Sequence, residues 1–250
     1  MSVRASILIV VLAAMLLPAL AKTKFKAKVI NCTSNYKQWG ATANMYAGEN
    51  KDHLPQFGTG GAGNPWDTGS NIVLVLQPYG LTVPMWFCPA RPDETAAMYN
   101  AAANLAPPNR LQNVTDLAIF MSSYFTSFAV INHCLWIKRG AMLKGSYLGT
   151  DSYNLGFLDK VTDRAAAKIP FISDPCFAGY PQPQGTNTSF INIKYANNLP
   201  LLHKYSGHVY NGRLQSLNLG FCDGHVEAHV LSRHEIIAQY DVTDNATWFY

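Results

Sequence analysis

Three residues of types that commonly bind metal ions occupy alternate positions near the C-terminus. His225, Glu227 and His229 are separated by single apolar residues, so on a β-strand their side chains would share one face. Cys222 lies three residues before His225, and imidazole, carboxylate and thiolate groups are ligands for zinc and related metals. The pattern suits a metal site, but alternating polar residues are also typical of a strand with one solvated face. We favour the solvated strand.

Two further groups of residues could do chemistry. His203 or His208 with Asp223 would form an acid–base pair, but the sequence contains no GxSxG-type nucleophile motif to accompany it. The segment from Asp241 to Asn245 offers oxygen ligands of the kind that calcium prefers, without a known calcium-loop pattern. The sequence therefore predicts a protein that is not an enzyme and has no cofactor, with calcium left open as the alternative.

The cysteines do not form a recognisable metal motif or a defined disulfide framework. Five are present, at Cys32, Cys88, Cys134, Cys176 and Cys222. No pair has CxxC spacing, so a zinc ribbon is not expected. Disulfides in an exported protein and buried free thiols both remain open, because spacing alone does not assign pairs.

The basic residues cluster at one place in the chain. The net charge is +4, and Lys22, Lys24, Lys26 and Lys28 supply as many positive charges by themselves. No broader basic face is expected, which argues against nucleic-acid binding. We expect the lysine group to lie at lipid headgroups.

The elements that would position these residues begin with an uncharged run of 17 residues from Ala5 to Ala21. The run could be a secretory signal cleaved after Ala21, a membrane anchor, or a buried helix of a soluble protein. Its length is at the lower limit of about 17–25 residues for a membrane span, and it contains Pro18. The residues assigned to the anchor are Ile7, Leu8, Ile9, Val10, Val11, Leu12, Met15, Leu16, Leu17 and Pro18.

A heptad-like stripe follows the apolar run and favours the anchor over the cleaved signal. Its spacing alternates between four and three residues, which places its members on one helix face. The members of this seam are Phe25, Val29, Cys32, Tyr36, Trp39, Ala43 and Tyr46. We predict one continuous helix of about 65 Å, with residues 1–21 as its transmembrane half, 22–50 as its amphipathic half and 51–250 as a globular head.

The clearest β-structure is a C-terminal hairpin over residues 215–231. Asp223 and Gly224 predict a two-residue type I′ turn between two alternating strands. That turn places Phe221 opposite Val226, Leu219 opposite Ala228 and Leu217 opposite Val230, which gives one wholly apolar face.

Several segments of the chain together resemble prepilin-type, pseudopilin-like proteins. The N-terminal matches are Leu12 to Leu20, Cys32, Asn35, Lys37, Gln38, Gly40, Met45, Tyr46, Asp52, Leu54 and Pro55. The later matches are Trp86 to Pro89 and Leu219 to Val226. The last segment resembles the family's processing-associated region, in which a histidine precedes an Asp-Gly pair by ten positions. Arg213 occupies that position here, and His208 is the nearest upstream histidine.

The resemblance implies an α+β, pilin-like fold in which a long N-terminal helix packs on an antiparallel sheet. It implies a non-enzymatic subunit of a type II secretion pseudopilus or type IV pilus-like fibre, anchored once in the bacterial inner membrane with a periplasmic or surface head. The expected partners are membrane lipid, other pilin-like subunits and assembly machinery. The family's glycine-ended leader and following Phe-Thr-Leu-Ile-Glu are absent. Either the true start lies upstream of Met1, which we favour, or this copy has lost processing. The alternative is an extracytoplasmic binding domain, for example for polysaccharide, that does not polymerise.

Overall fold

A computed structural model describes the chain at residues 3–55, 67–124, 129–138, 158–164, 166–175, 177–179, 207–211, 213–230, 238–242 and 246–249. Its dominant element is helix α1, which runs from Val3 to Glu49 without interruption. At 1.5 Å per residue its 47 residues extend for about 70 Å. The combination of this helix with antiparallel strands confirms the α+β class.

The body consists of short helices around antiparallel strands. The remaining α-helices are α2 (Ile72–Leu76), α3 (Pro92–Ala103) and α4 (Val114–Tyr124), and short 3₁₀ helices cover Gln77–Tyr79 and Val83–Trp86. The strands are β1 (Asp67–Thr68), β2 (Ala129–Val130), β3 (Cys134–Leu135), β4 (Ile172–Ser173), β5 (Phe177–Gly179), β6 (His208–Tyr210), β7 (Arg213–Gly220), β8 (Val226–Val230), β9 (Ala238–Val242) and β10 (Ala246–Phe249).

Strand β7 organises the largest sheet in the described part of the chain. Strand β8 pairs antiparallel with one edge of β7, from Ser216 to Gly220. Strands β4 and β6 share the opposite edge, because β4 pairs with Leu219 and Gly220 while β6 pairs with residues 213–216. The ends of β4 and β6 therefore meet beside the middle of β7.

The C-terminal half of α1 packs against this sheet and the 3₁₀ turn near Trp86. Cys32, Tyr36, Trp39 and Ala43 of the predicted seam are buried in the core. Tyr46 packs at its edge, and Phe25 and Val29 are half-buried. The helix axis can approach the sheet closely because a glycine lies at the contact: a Cβ at Gly40 would be 3.2 Å from the Cα of Gly224.

The predicted hairpin exists, but its register was wrong by one residue. The observed loop is Cys222–Asp223–Gly224, closed by Phe221 N–H donating to the carbonyl of His225 over 3.1 Å. Gly224 has φ of +87°, as the last residue of a three-residue hairpin loop requires. The extra loop residue pairs Leu219 with Glu227 and Leu217 with His229, rather than with Ala228 and Val230. Leu231 lies outside the described residues.

The membrane prediction was also wrong. Among the described residues, no helix combines the length and the apolar character needed to cross a membrane. The finding overturns the assignment of residues 1–21 as a transmembrane half and the localisation as a single-pass inner-membrane protein with a periplasmic or surface head. The physical reason lies in the run itself, which is short, includes five alanines, Ser6 and Pro18, and is bounded by Arg4 and Lys22.

Candidate functional site

The N-terminal part of α1 exposes its apolar side chains. We call residues 6–20 the stem. The large apolar side chains that the structure describes there are between 52% and 71% exposed, and they are Ile7, Val10, Leu12, Met15, Leu16, Leu17 and Leu20. At 100° per residue these positions cover all sides of the helix rather than one stripe. A helix that is apolar all round is ordinarily buried by other protein or by lipid.

The stem leaves the body at a cleft of about 650 Å³. One wall is formed by α1 from Ala21 to Lys28, and the other by Ala90 to Asp93 and Val209 to Asn211. The rings of Phe25 and Tyr210 meet across it with centroids 5.0 Å apart. The first contact of the seam with the body is therefore aromatic, immediately after the exposed stem.

Deeper in the body, a buried arginine ties three segments together. Arg91 is 1% exposed and lies immediately before α3. Its Nε is 2.7 Å from Glu94 Oε2, and its Nη1 is 3.0 Å from Asp174 Oδ1. Its Nη2 donates to the carbonyl of Asn132 over 2.6 Å. Burying this cation is feasible because both neighbouring carboxylates are buried with it and their charges oppose its own.

Asp174 is the second hub of the buried network. Its Oδ1 accepts from the hydroxyl of Tyr36 on α1 over 3.0 Å, as well as from Arg91. Its Oδ2 accepts from the backbone N–H of Asn218 over 2.8 Å. The carboxylate therefore links the helix, the segment before α3 and strand β7.

Sheet topology brings His208 to this carboxylate. Asp174 follows the last residue of β4, and His208 is the first residue of β6, so the two lie where those strands meet along β7. The Nε2 of His208 is 3.3 Å from Oδ2 of Asp174, and both side chains are fully buried. Its other nitrogen, Nδ1, lies 3.0 Å from Oγ of Ser216. Nε2 itself makes no hydrogen bond of acceptable geometry.

Two thiols complete the cluster. Cys32 comes from the seam of α1, and Cys88 from the turn before α3. One potential ligand atom from each of Cys32, Cys88, Asp174 and His208 lies within 4.8 Å of every other, and all four residues are buried. In the part of the chain that the structure describes, these are the residues whose geometry could hold a metal ion. We call this set the four-donor cluster.

The charges around the cluster perturb several ionisation equilibria. Burial raises the pKa of Cys32 well above its usual range, and the neighbouring Cys88 raises it further. For Cys88 burial acts in the same sense, but the hydrogen bond from Cys32 and the charge of Arg91 bring its pKa well below the usual range. Burial disfavours the cationic form of His208, yet the carboxylate of Asp174 leaves its pKa raised. The site thus favours a negative charge on the sulfur of Cys88.

His133 lies beside the same network but behaves differently. Its Nδ1 is 3.2 Å from the hydroxyl of Tyr36, and its ring stands edge-on to those of Tyr36 and Trp39. Burial, reinforced by the positive charge of Arg91, lowers the pKa of His133 to about 3. His133 is therefore a neutral core residue at ordinary pH.

The predicted metal candidates on β8 lie on the surface of the sheet. Glu227 Oε2 is 2.7 Å from Nε2 of His229, and Glu227 Oε1 is 3.5 Å from Nε2 of His225. His225 also contacts the carboxylate of Asp223 and stacks on the ring of Phe221. The two imidazoles thus flank one exposed carboxylate in a row of surface contacts.

Of the acid–base candidates, the described structure separates His208 from Asp223, and the calcium candidates lie largely outside the described residues. His208 is buried against Asp174, whereas Asp223 is exposed in the hairpin loop. His203 and Asn245 lie outside the described residues, and Asp241 is described only as part of the backbone of β9.

Three of the four donors, Cys32, Cys88 and His208, were singled out from the sequence, but without any link between them. Asp174 stands before Pro175, a pair typical of a turn, and Arg91 belongs to no recognisable motif. The available signal was the charge of Asp174, directly after an apolar strand-like run.

Comparison of the chain with family models, with curated proteins and with solved structures finds no match.

Proposed function

We propose that this protein is a non-enzymatic, pilin-like filament subunit that assembles by packing its stem against the stems of other copies. The observation that carries the proposal is that the seven described large apolar side chains of the stem are exposed and point to all sides of the helix. Exposed apolar surface of this extent marks an interaction site in most soluble proteins. The prepilin-type resemblance of the N-terminal segment supports the same assembly mode.

The energy available from covering the stem is large enough to drive association. Burying a large apolar side chain contributes about 1.5–3 kcal/mol, so seven such side chains at their observed exposure offer on the order of 10 kcal/mol. A dissociation constant near 1 μM corresponds to about 8 kcal/mol of binding free energy. The stem can therefore provide the main driving force, with losses of motional entropy opposing it.

The chemistry of the stem favours another copy of itself as the occupant. From Ala5 to Ala21 the chain has no charged residue, so the surface offers nothing for a polar or charged partner to recognise. A second stem presents the same uncharged surface and can pack against any side of the first. The lysines at positions 22, 24 and 26 are exposed directly after the stem. They would approach one another in a parallel bundle, so added salt should strengthen assembly by screening their repulsion.

Sedimentation of the purified full-length chain tests the proposal. The wild type should sediment as an oligomer, increasingly so with salt, whereas Leu16→Lys should shift it towards the monomer. Loss of one buried leucine weakens a contact by about 1.5–3 kcal/mol, which is roughly 10–150-fold in affinity. Leu74→Lys is the matched control, because Leu74 is an equally exposed leucine of the body, at 54% against 66% for Leu16.

Three outcomes would contradict the proposal: a monomeric wild type, equal assembly of the Leu16→Lys and wild-type chains, or equal loss of assembly in both variants. Binding of a monomeric wild type to phospholipid vesicles would identify lipid as the occupant instead. The alternative of a glycan-binding domain has no comparable observation in its favour. Among the described residues, Tyr99 is the one large aromatic side chain that is substantially exposed, at 38%.

A further inference from the structure

We propose that the four-donor cluster binds a single zinc ion, coordinated by Cys32, Cys88, Asp174 and His208. Zinc binding there would be independent of filament assembly. The donor types, their separations, the groups behind them and the balance of charge all suit the ion. The ion would be structural, because four protein ligands fill a tetrahedral zinc site and leave no open position for substrate.

The donor types and distances suit zinc. Two sulfurs with one nitrogen and one oxygen form a mixed set of the kind that zinc accepts, with bonds of about 2.0–2.3 Å. In a regular tetrahedron neighbouring ligand atoms lie about 1.6 times the bond length apart, which gives about 3.3 Å for a nitrogen–oxygen pair. The observed separation between His208 Nε2 and Asp174 Oδ2 is 3.3 Å. The sulfurs also lie within 4.8 Å of these atoms and of each other.

The imidazole of His208 is held as a metal-binding imidazole usually is. Its Nδ1 is engaged by Ser216, which orients the ring and leaves Nε2 facing the other donors. Nε2 is fully buried, lies 3.3 Å from Oδ2 of Asp174, and faces the two sulfurs within 4.8 Å. Coordination would use this nitrogen without disturbing the contact between Nδ1 and Ser216.

Asp174 is also supported from behind. Arg91 and Tyr36 occupy Oδ1, and the N–H of Asn218 occupies one acceptor position of Oδ2. A carboxylate oxygen can accept in two directions, so Oδ2 keeps one for the ion on the side of His208. Asp174 would therefore bind through a single oxygen, oriented by hydrogen bonds to three separate segments.

Charge balance permits the ion in this buried site. Zinc coordination requires both sulfurs as thiolates and a neutral imidazole, and the two negative sulfurs then balance the charge of Zn²⁺. Arg91 is already paired with Glu94 and Asp174, so the added cation need not displace it. The ion would link the seam of α1 to the turn before α3 and to the sheet. It would therefore hold the seam of α1 against the body.

Metal analysis of the full-length protein, purified under reducing conditions, tests the assignment. We expect about one zinc per chain. Replacement by Co²⁺ should give thiolate-to-cobalt charge-transfer bands and the intense visible bands of tetrahedral cobalt. Cys32→Ser and Cys88→Ser should each abolish these bands. Cys222→Ser is the matched control, because Cys222 is also buried but lies outside the cluster, and it should retain them.

Two further measurements keep the test decisive if a cysteine variant fails to fold. Removing zinc from the wild type with a chelator should lower its melting temperature. Restoring Zn²⁺ at a hundredfold excess over its Kd should raise it by roughly 5–10 °C, while Mg²⁺ should not. Ser216→Ala, which alters only the orientation of His208, should weaken zinc binding about 10–100-fold.

The assignment would be overturned by a wild type that neither retains zinc nor shows cobalt–thiolate bands. It would also be overturned by mass spectrometry that finds Cys32 and Cys88 joined as a disulfide in protein isolated without added oxidant. Equal loss of the cobalt bands in the Cys222→Ser control would show that binding depends on cysteines in general rather than on this cluster.

Discussion

Replacing Arg91 by leucine should destabilise the protein more than any surface change, because the substitution removes the cation that two buried carboxylates share. The side chains of Glu94 and Asp174 are both fully buried, and Arg91 lies 2.7 Å from one and 3.0 Å from the other. Removing one partner of a buried ion pair typically costs about 3–5 kcal/mol. The carbonyl of Asn132 also loses its donor, a loss that places the total towards the upper end of that range.

Urea unfolding followed by tryptophan fluorescence measures the effect, since Trp39, Trp86 and Trp136 are all buried. With a slope of about 3 kcal/mol per molar urea, a loss of 3–5 kcal/mol lowers the midpoint by roughly 1–1.7 M. Because native proteins are stable by only about 5–15 kcal/mol, this is a large fraction of the total. Chelator and reducing agent in every sample remove any contribution from a bound metal or a disulfide.

Arg110→Leu provides the matched control. Arg110 is also paired with a carboxylate, Asp116, but at 3.6 Å and with its side chain 58% exposed. Exposed pairs of this kind contribute at most about 1 kcal/mol. If Arg91→Leu shifts the midpoint no more than Arg110→Leu does, the buried ion pair does not stabilise the fold as argued. Arg91→Lys should be intermediate, because it keeps the charge but loses the planar fork of donors.

Two further changes test the core around this network. Burial lowers the pKa of His133 to about 3, so its imidazole takes up a proton more readily in the unfolded chain than in the folded one. The wild type should therefore lose up to about 5 kcal/mol of stability as pH falls from about 6.5 towards 3. Urea titrations across this range should show a flatter pH dependence for His133→Gln. An unchanged slope would contradict a neutral, buried His133. Gly220→Ala places a Cβ 2.8 Å from Cγ2 of Ile172 and should lower the free energy of unfolding by about 1–3 kcal/mol, measured by thermal unfolding. Gly48→Ala on helix α1 is the control, because a Cβ there has no neighbour within 4 Å, and it should be neutral or stabilising. Equal melting temperatures for the two glycine variants would refute the close contact.

The helical parts of the fold were predictable where the sequence pattern is local. The alternating spacing of the seam identified the face of α1 on which Cys32, Tyr36 and Trp39 are buried. The apolar and aromatic composition of residues 116–138 predicts one or two strands, which is confirmed for β2 and β3 but is wrong for the first part of the segment. Helix α4 covers Val114–Tyr124 instead, and Asn113 caps it by accepting from the N–H of Asp116 over 2.9 Å. The capping residue was present in the sequence and outweighs the strand-like composition.

The hairpin shows where a local pattern becomes ambiguous. Asp223 and Gly224 predicted the turn, but a two-residue and a three-residue loop differ only in whether Cys222 belongs to the strand or the loop. That single residue changes which cross-strand pairs form, since side chains alternate between faces at every position. Gly224 at positive φ is compatible with either loop, so only the paired backbone of β7 and β8 decides the register.

Local sequence pattern predicts the long helix, its uncharged N-terminal run and the seam that follows the run, because residues three and four positions apart share one helix face. It did not determine that the run lies exposed, since exposure depends on what the rest of the chain covers. Only the tertiary structure brought Cys32, Cys88, Asp174 and His208 within 4.8 Å. Their meeting depends on two separate strands sharing one edge of β7 while α1 crosses the sheet. Such long-range pairings leave no periodic trace in the sequence.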